Sequence, residues 1–556
     1  MATSIVKGLP STHGDHYQLN TTNLIRHAVR TYPEQEIVYR QTDGEWGRYT
    51  YADAYKRVQQ AANVLTDLGV GPGDTVGLLD WNSKRHYELG WAIPGIAAVM
   101  LQMNLRLSTE DLSYVTGHAE AQWILVDETL LTIAEAVAPH VPNVKGWIVM
   151  SDRPSAEIST TLENVLYFED LMRDADTEHS WPVIDETSTY SACYTTGTTG
   201  RPKGVYFSHR GSYLHAMAMA AGISMNRADT AMLITPMFHG QSWGLPHTTM
   251  WVAAKVILPG RYMAENTAML VDTMIAENVT VANGAPAIFQ PMLDYIKTLE
   301  VKPDFSKVRL LSGATEPALT LMRDFYELTG ADFVQAYGAT ETTPLISVNF
   351  GIKPSLENKV SDSERWDLKR FQGLPTSGID IRVVDAEGRD LPHDGESVGE
   401  LLMRGPWVVE RYHKLDDDAD RFLDGYWRSG DVGKIYPNGY LKLTDRLKDV
   451  VKSGGEWISS IDMENAIAGH PLVQDAAVIG VEHPKWQERP LALVVPVEGA
   501  NLTREDITGV LDKTFAKWQM PDVVLFVDHL PRTGVGKLDK KALRATHADQ
   551  YRGAAQ

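Results

Sequence analysis

Cysteine is almost missing from this chain: Cys193 is the single one among 556 residues. That excludes an internal disulfide framework and a cysteine-based zinc site, and it suits a reducing cytoplasm. Positive charge is also short. Against 72 acidic residues stand 52 basic ones, a formal charge of −20. Such a surface repels nucleic acid and anionic membranes, so no nucleic-acid partner is expected. Long clean apolar runs are missing too. The longest, Leu89 to Leu105, is broken by Pro94, Gly95, Gln102 and Asn104. It falls short of the roughly 20 residues a membrane span needs and is expected to be a buried helix. The first residues do not read as a signal peptide, and Tyr551 to Gln556 carry no familiar address. Fixed-period repeats and low-complexity segments are absent. The 17 histidines include no His-Glu-x-x-His. The acidic run Asp416, Asp417, Asp418 and Asp420 has Arg421 where a calcium loop needs glycine, and no closing glutamate. Cys193 reads as a small buried residue, not a nucleophile.

What is present is concentrated in short motifs. Residues 194–204 read Tyr-Thr-Thr-Gly-Thr-Thr-Gly-Arg-Pro-Lys-Gly, with four threonines, three glycines and one lysine. Glycines let backbone N–H groups approach an anion. Threonine hydroxyls donate to phosphate oxygens or ligate Mg²⁺. The run is a phosphate cradle, yet it does not fit the P-loop pattern, because Lys203 follows Pro202 and precedes Gly204. Four further motifs follow in order: Tyr-Gly-Ala-Thr-Glu at 337–341, Tyr-Trp-Arg-Ser-Gly-Asp at 426–431, Asp-Arg-Leu-Lys-Asp-Val-Val-Lys-Ser-Gly-Gly-Glu-Trp at 445–457, and Pro-Arg-Thr-Gly-Val-Gly-Lys at 531–537. Together they resemble the adenylate-forming superfamily of acyl-CoA synthetases, carrier-loading adenylation domains and firefly luciferases. The resemblance extends over nearly the whole chain.

The fold class read from the chain is α/β. Short apolar runs at Thr75–Leu79, Gln122–Val126, Gly146–Met150, Thr230–Ile234, Lys255–Leu258 and Val308–Leu311 are predicted buried strands. Helical patterns separate them, as at Tyr51–Leu68, which favours largely parallel sheets. Residues 374–444 turn to short strands and Gly-containing turns, a β-rich subdomain. A charged stretch, 445–449, then separates an N-terminal domain (1–444) from a compact α+β unit (450–556). Helices are predicted at Ile461–His470 and Arg504–Phe515, and strands at Asp475–Ile479 and Leu491–Pro496. The resemblance implies the same division, with 445–449 as a hinge and the small C-terminal domain mobile.

The chemistry implied by the resemblance needs positioning and charge, not a covalent nucleophile. A carboxylate attacks the α-phosphorus of ATP, giving an acyl adenylate and pyrophosphate; a thiol then displaces AMP. Thr195, Thr196, Gly197, Thr198, Thr199, Gly200 and Lys203 would hold the β- and γ-phosphates. Thr195 and Glu341 are the magnesium positions, with Thr340 at the α-phosphate. Gly313, Gln335, Ala336 and Tyr337 match the adenine wall, with Tyr337 offering its ring to the base. Asp431 would accept the ribose hydroxyls, with Arg446 beside it, and is placed between two strand-like segments. Lys448 and Lys452 are nucleotide contacts. Lys537 is the cation of the first half-reaction. Gly454, Gly455 and Trp457 would line the path of the CoA thiol arm.

On the acyl side, Pro-Met-Phe-His-Gly-Gln-Ser-Trp at 236–243 matches the segment before the carboxylate site. His239 is an adenine- or carboxylate-side contact with a catalytic part, Gly240 adjoins it, and Trp243 matches an indole that gates the acyl tunnel in fatty acyl-CoA synthetases. The segments 452–459, 483–490 and 515–521 also look like that branch. The expected activity is therefore ATP- and Mg²⁺-dependent ligation of a small-molecule carboxylic acid to coenzyme A. Medium- to long-chain fatty acids are the first reading and a short acid such as 3-(methylthio)propionate the second. A luciferase-like or carrier-loading enzyme is the alternative of another class. A cytoplasmic place and, by analogy alone, a homodimer complete the expectation.

Overall fold

Thr50 and Asp53 cap each other at the start of the helix Tyr51–Asp67, and a left-handed Gly69 follows its end. Tyr51, Ala54, Val58, Ala61, Ala62 and Leu65 form its buried stripe, the spacing an amphipathic helix requires. The computed structural model describes residues 5–14, 16–195, 201–263, 266–415, 418–453, 456–532 and 538–551, with backbone alone at 456–457.

Two large sheets carry the N-terminal part. In one, Val165–Tyr167, Gly146–Met150, Ala121–Asp127, Thr75–Leu79, Val99–Gln102 and Thr189–Thr195 lie in that order and run parallel. Lys203–Ser208 closes its edge antiparallel. In the other, Glu36–Arg40, Lys255–Leu258, Thr230–Met232, Val281–Gly284, Arg309–Ser312 and Asp332–Gly338 run parallel, with antiparallel strands at both edges. One apolar cluster draws Val76 and Leu78 from the first sheet and Ala231, Val256 and Leu258 from the second. Burying both sheets against shared helices removes the largest apolar area from water.

The predicted strands of the N-terminal part are all present, within a residue or two at each end, while Asp475–Ile479 and Leu491–Pro496 are parts of the longer strands Val473–His483 and Gln487–Pro496. The stretch Leu89–Leu105 is not one buried helix. It is the end of the helix Lys84–Gly95 followed by the strand Val99–Gln102, which sits between Thr75–Leu79 and Thr189–Thr195. A continuous apolar run has no period to tell the two apart. Pro94 and the left-handed Ala97 mark the change.

Asp380–Val384, Gly399–Arg404, Phe422–Leu423, Tyr426–Ile435 and Leu441–Arg446 form the antiparallel sheet expected of the β-rich region. Leu374–Pro375 belongs instead to the nine-stranded sheet. The last unit is built on the hairpin Val473–His483 and Gln487–Pro496, with helices Ser460–Ala468 and Arg504–Leu511.

The expected division at Asp445 falls inside the strand Leu441–Arg446. Asp445 is buried, and its Oδ2 accepts from Ser460 N–H at 2.7 Å. Ser459 Oγ donates to Thr444 O at 2.6 Å. Behind this junction Lys540 Nζ lies 2.7 Å from Glu464 and donates to Ser460 Oγ at 2.5 Å. Burial raises the Glu464 carboxyl to about 7 despite Lys540. A raised carboxyl holds its proton better folded than unfolded. Its stabilising share is whole below the ordinary 4.5 and is lost as pH rises through about 7. The stability of the wild type relative to Glu464→Gln should therefore fall by up to about 3 kcal/mol between those limits. Urea unfolding of both proteins across that range measures it, and a constant difference would contradict it.

Candidate active site

The parallel strands Val281–Gly284, Arg309–Ser312 and Asp332–Gly338 end on one edge, where ligands of open α/β sheets bind. At the end of the last of them Gly338 admits no side chain, since a Cβ there would lie 1.8 Å from Pro344 O. The tight turn leads into Thr340–Thr342 and so presents Glu341. Tyr412 Oη donates to Glu341 Oε1 at 2.9 Å and accepts from Trp427 Nε1 at 3.1 Å. Lys203 Nζ stands 5.3 Å from the centre of the Tyr412 ring. Burial raises the Glu341 carboxyl, and burial lowers the Lys203 ammonium. Each thus favours an opposite charge nearby. Thr195 and Lys203 are register partners at the ends of their strands, so the cradle's two flanks reach this point.

Asp431 lies within one strand, Tyr426–Ile435, and not between two strand-like segments as expected. Gly430 takes φ 67° inside that strand, which turns the carboxylate without ending the ladder. Tyr337 Oη donates to Asp431 Oδ2 at 2.7 Å, and Arg446, its register partner, places Nε 3.5 Å from Oδ1. Tyr337 is buried among Ile346, Trp407 and Val408. Gln335 and Ser312 are register partners, and the buried Gln335 Oε1 and Ser312 Oγ have no hydrogen-bond partner. Such atoms are rare in protein interiors, and these two fit a base that brings its own hydrogen-bonding groups. A Cβ on Gly313 would lie 3.0 Å from both Ala336 O and Trp243 Cη2, so the indole closes directly on this wall.

Trp243 stands there because of an unusual turn. Gly240, Gln241, Ser242, Trp243 and Gly244 take φ of 52°, 54°, 48°, 60° and 75°. Left-handed backbone costs about 1–2 kcal/mol for each non-glycine residue. Two buried asparagines hold the segment. Asn283 Nδ2 donates to Ser242 O at 2.9 Å and to Ser242 Oγ at 3.1 Å, while its Oδ1 accepts from Ile234 and Thr235 N–H. Asn82 Oδ1 accepts from Met237 N–H at 2.7 Å. His239 opens the turn, its carbonyl accepting from Ser242 N–H.

Comparison with known proteins decides the family. Residues 25–413 match AMP-binding enzymes, and residues 462–537 match the AMP-binding enzyme C-terminal domain. The chain belongs to the AMP-binding enzyme family. A long-chain-fatty-acid–CoA ligase of Thermus thermophilus is 38% identical, covering 99% of both chains. A 3-methylmercaptopropionyl-CoA ligase of Ruegeria lacuscaerulensis is 37% identical, covering 96% of this chain and 98% of the relative. A medium-chain-fatty-acid–CoA ligase of Ectopseudomonas oleovorans is 35% identical, covering 96% of each. The fold matches an anthranilate CoA ligase bound to anthranoyl-AMP, with TM-score 0.81, 23% identity and coverage of 95% and 97%. It also matches ATP-bound MatB from Rhodopseudomonas palustris, with TM-score 0.80, 25% identity and coverage of 96% and 100%. This family member is an ATP-using, AMP-forming acid–thiol ligase of the acyl-CoA synthetase type.

For this AMP-binding enzyme the structure gathers Thr195, Lys203, Glu341 and Thr340 at one point, and Gly313, Gln335, Ala336, Tyr337, Asp431 and Arg446 along the adjoining wall. Lys448 is exposed, near Asp449 and Arg446. Lys452 lies in the strand Val451–Ser453, its N–H donating to Glu488 Oε2 at 2.8 Å. Thr196 to Gly200, Gly454, Gly455 and Lys537 lie outside the described residues, as does the side chain of Trp457. Cys193 is buried, and burial pushes its thiol up to about 12, which leaves it no nucleophile. Among the described residues no group of three or more His, Cys, Asp or Glu side chains could hold a metal, and no helix is long and apolar enough to cross a membrane. A lone Glu341 fits a hard cation that arrives with phosphate oxygens.

Sequence reasoning gave no role to Asn82, Asn283 or Tyr412, nor to Trp427 within the 426–431 motif. Each acts by holding another residue, and nothing in its local motif announces that. Asn283→Ala should lower stability by roughly 2–4 kcal/mol, because it strips partners from buried backbone groups. It should also release the turn, exposing Trp243 to fluorescence quenchers. An unchanged melt together with unchanged quenching would mean the turn holds itself.

Proposed function

We propose that the acid joined to coenzyme A is a medium- to long-chain fatty acid. The observation that carries this reading is the Trp243 indole, set in the apolar cluster that joins the two large sheets and closing on Gly313 beside the adenine wall. An apolar chain gains about 0.8 kcal/mol per buried methylene in such surroundings. The names of the Thermus and Ectopseudomonas relatives support it. The similar identity of the Ruegeria relative supports a short thioether acid as the second reading.

In this reading Lys203 and the Thr195–Gly200 loop hold the β- and γ-phosphates. Thr195 and Glu341 carry Mg²⁺, and Thr340 touches the α-phosphate. Asp431, steadied by Tyr337 and Arg446, takes the ribose, and His239 and Gly240 face the carboxylate. Lys448 and Lys452 contact the nucleotide. Lys537 neutralises charge in the first half-reaction. Rotation of the small domain about 445–449 then brings Gly454, Gly455 and Trp457 to the thiol arm. The single cysteine supports a cytoplasmic place, and a homodimer rests on analogy.

Pyrophosphate release across short, medium and long straight acids, with methylthio and aryl acids alongside, tests the substrate class. The reading expects kcat/KM to peak among medium or long chains; a peak at 3-(methylthio)propionate or an aryl acid would replace it. The two-step assignment has its own test. Lys537→Ala should slow acyl-adenylate formation by about a hundredfold or more, yet leave thiolation of supplied acyl adenylate within about threefold. Equal losses in both steps would refute the exchange of faces.

A further inference from the structure

A small cavity of about 20 Å³, room for one water-sized group, lies among the helix Lys84–Gly95, the strand Val99–Gln102 and the stretch from Met237 to His247. An acyl tunnel for a plain hydrocarbon would be lined by carbon. Here six lining side chains each hold a buried polar atom without a partner in hydrogen-bonding geometry: His86 Nε2, Tyr87 Oη, Trp91 Nε1, Gln102 Oε1, Gln241 Nε2 and His247 Nε2. All six residues are more than nine-tenths buried. His86 leans toward Gln102 and Tyr87 toward Thr249, at the margin of bonding range.

The surrounding bonds fix which of these atoms give and which accept. Ser191 Oγ donates to Met100 O at 3.1 Å, so it accepts from Gln102 Nε2 at 3.4 Å, and Gln102 Oε1 is left to accept. His86 Nδ1 lies 3.0 Å from Trp81 O, which can only accept, so Nδ1 carries the proton. Burial holds the His86 ring neutral, at about 4, so Nε2 is a second acceptor beside Gln102 Oε1. Two neighbouring acceptors call for a donor between them. Trp91 Nε1 and Gln241 Nε2 are donors that call for an acceptor. No lining side chain is cationic, since burial also keeps His247 neutral, at about 3. The complement is a neutral group that both donates and accepts, and a hydroxyl is the simplest.

The cavity adjoins the acyl-side wall. Gln241, which lines it, and Trp243, which closes on Gly313, belong to the same left-handed turn. We propose that this cavity receives the far end of the acyl chain and selects acids bearing a hydroxyl there over methyl-ended acids of equal length. The inference rests on the reading of Gly240–Trp243 as the acyl-side wall. It narrows that reading from fatty acids in general to those with a hydroxylated chain end. A methyl end would leave the polar atoms unpaired, the situation in which protein sites discriminate most strongly.

The test compares kcat/KM for a chain-length series of straight acids with their chain-end hydroxylated forms, on the full-length enzyme with ATP, Mg²⁺ and CoA. The hydroxylated acid should be favoured by about tenfold or more at the length that reaches the cavity. Trp91→Phe, which removes only the donor N–H, and Gln102→Leu should each cut that preference to about twofold or less. Melting curves of both variants accompany the comparison, and Trp91→Phe keeps it decisive if Gln102→Leu fails to fold. Turnover of plain acids equal to or better than hydroxylated ones at every length would overturn the proposal and assign the polar atoms to internal water alone. A preference that survives both variants would place hydroxyl recognition elsewhere and overturn it equally. If neither series is used while methylthio or aryl acids are, the fatty-acid reading fails and this inference falls with it.

Discussion

The site depends on a left-handed turn that would not stand alone. Gly240 to Gly244 run through positive φ, a conformation that non-glycine residues adopt only when the surroundings over-determine it. Asn283 and Asn82, both buried, supply that determination by binding the turn and the strand ends beneath it. With the turn held, the Trp243 indole meets Gly313, and Gln241 faces the polar cavity. In the proposed reading, this one short segment forms the wall between the nucleotide side and the acyl side. Strain of this kind is held in place by packing elsewhere, here by the cluster that joins the two large sheets.

Charge is arranged with similar economy. Glu341 and Lys203 converge through Tyr412, one carboxylate and one ammonium in a partly dry setting that makes each ready for a partner of opposite sign. Asp431 is tied to Tyr337 by the tyrosine hydroxyl, so the groups proposed to grip base and ribose move as one. Nothing in this arrangement is a covalent nucleophile, and the buried Cys193 thiol is withdrawn from reaction. Reaction by positioning and electrostatic stabilisation is what such a constellation can provide. The small C-terminal unit joins through Asp445, Ser460, Lys540 and Glu464, a buried polar knot at the point expected to pivot.

Much of this was legible from sequence, for definable reasons. Buried parallel strands such as Gly146–Met150 and Lys255–Leu258 are short apolar runs bounded by turn residues, and the structure places them as read. Motifs with several polar groups in a fixed order, such as residues 337–341, mark the site because chemistry needs those types together. Legibility failed where the decisive contact was remote in sequence. Leu89–Leu105 was merged into one element because its helix and strand are both buried. Asp431 was placed between two strand-like segments; only the ladder to Arg446 shows that a single strand runs through it. Asn283 is an ordinary polar residue in an apolar strand until Ser242 arrives beside it. The unpaired atoms of His86, Gln102 and Trp91 likewise acquire meaning only when their elements surround one cavity.

The central claim is that the Trp243 indole divides nucleotide from acyl chain. Its most direct test is Trp243→Ala, with kcat/KM measured along an acid chain-length series and ATP affinity and melting temperature measured on the same protein. Removing the ring opens room for several methylenes, each worth about 0.8 kcal/mol when buried. Longer or bulkier acids should gain on shorter ones by about tenfold or more, with ATP affinity changed by less than about threefold. A melting temperature lowered by a loss of roughly 3–5 kcal/mol with the order of acids unchanged would show that Trp243 is core packing alone, and would contradict the account.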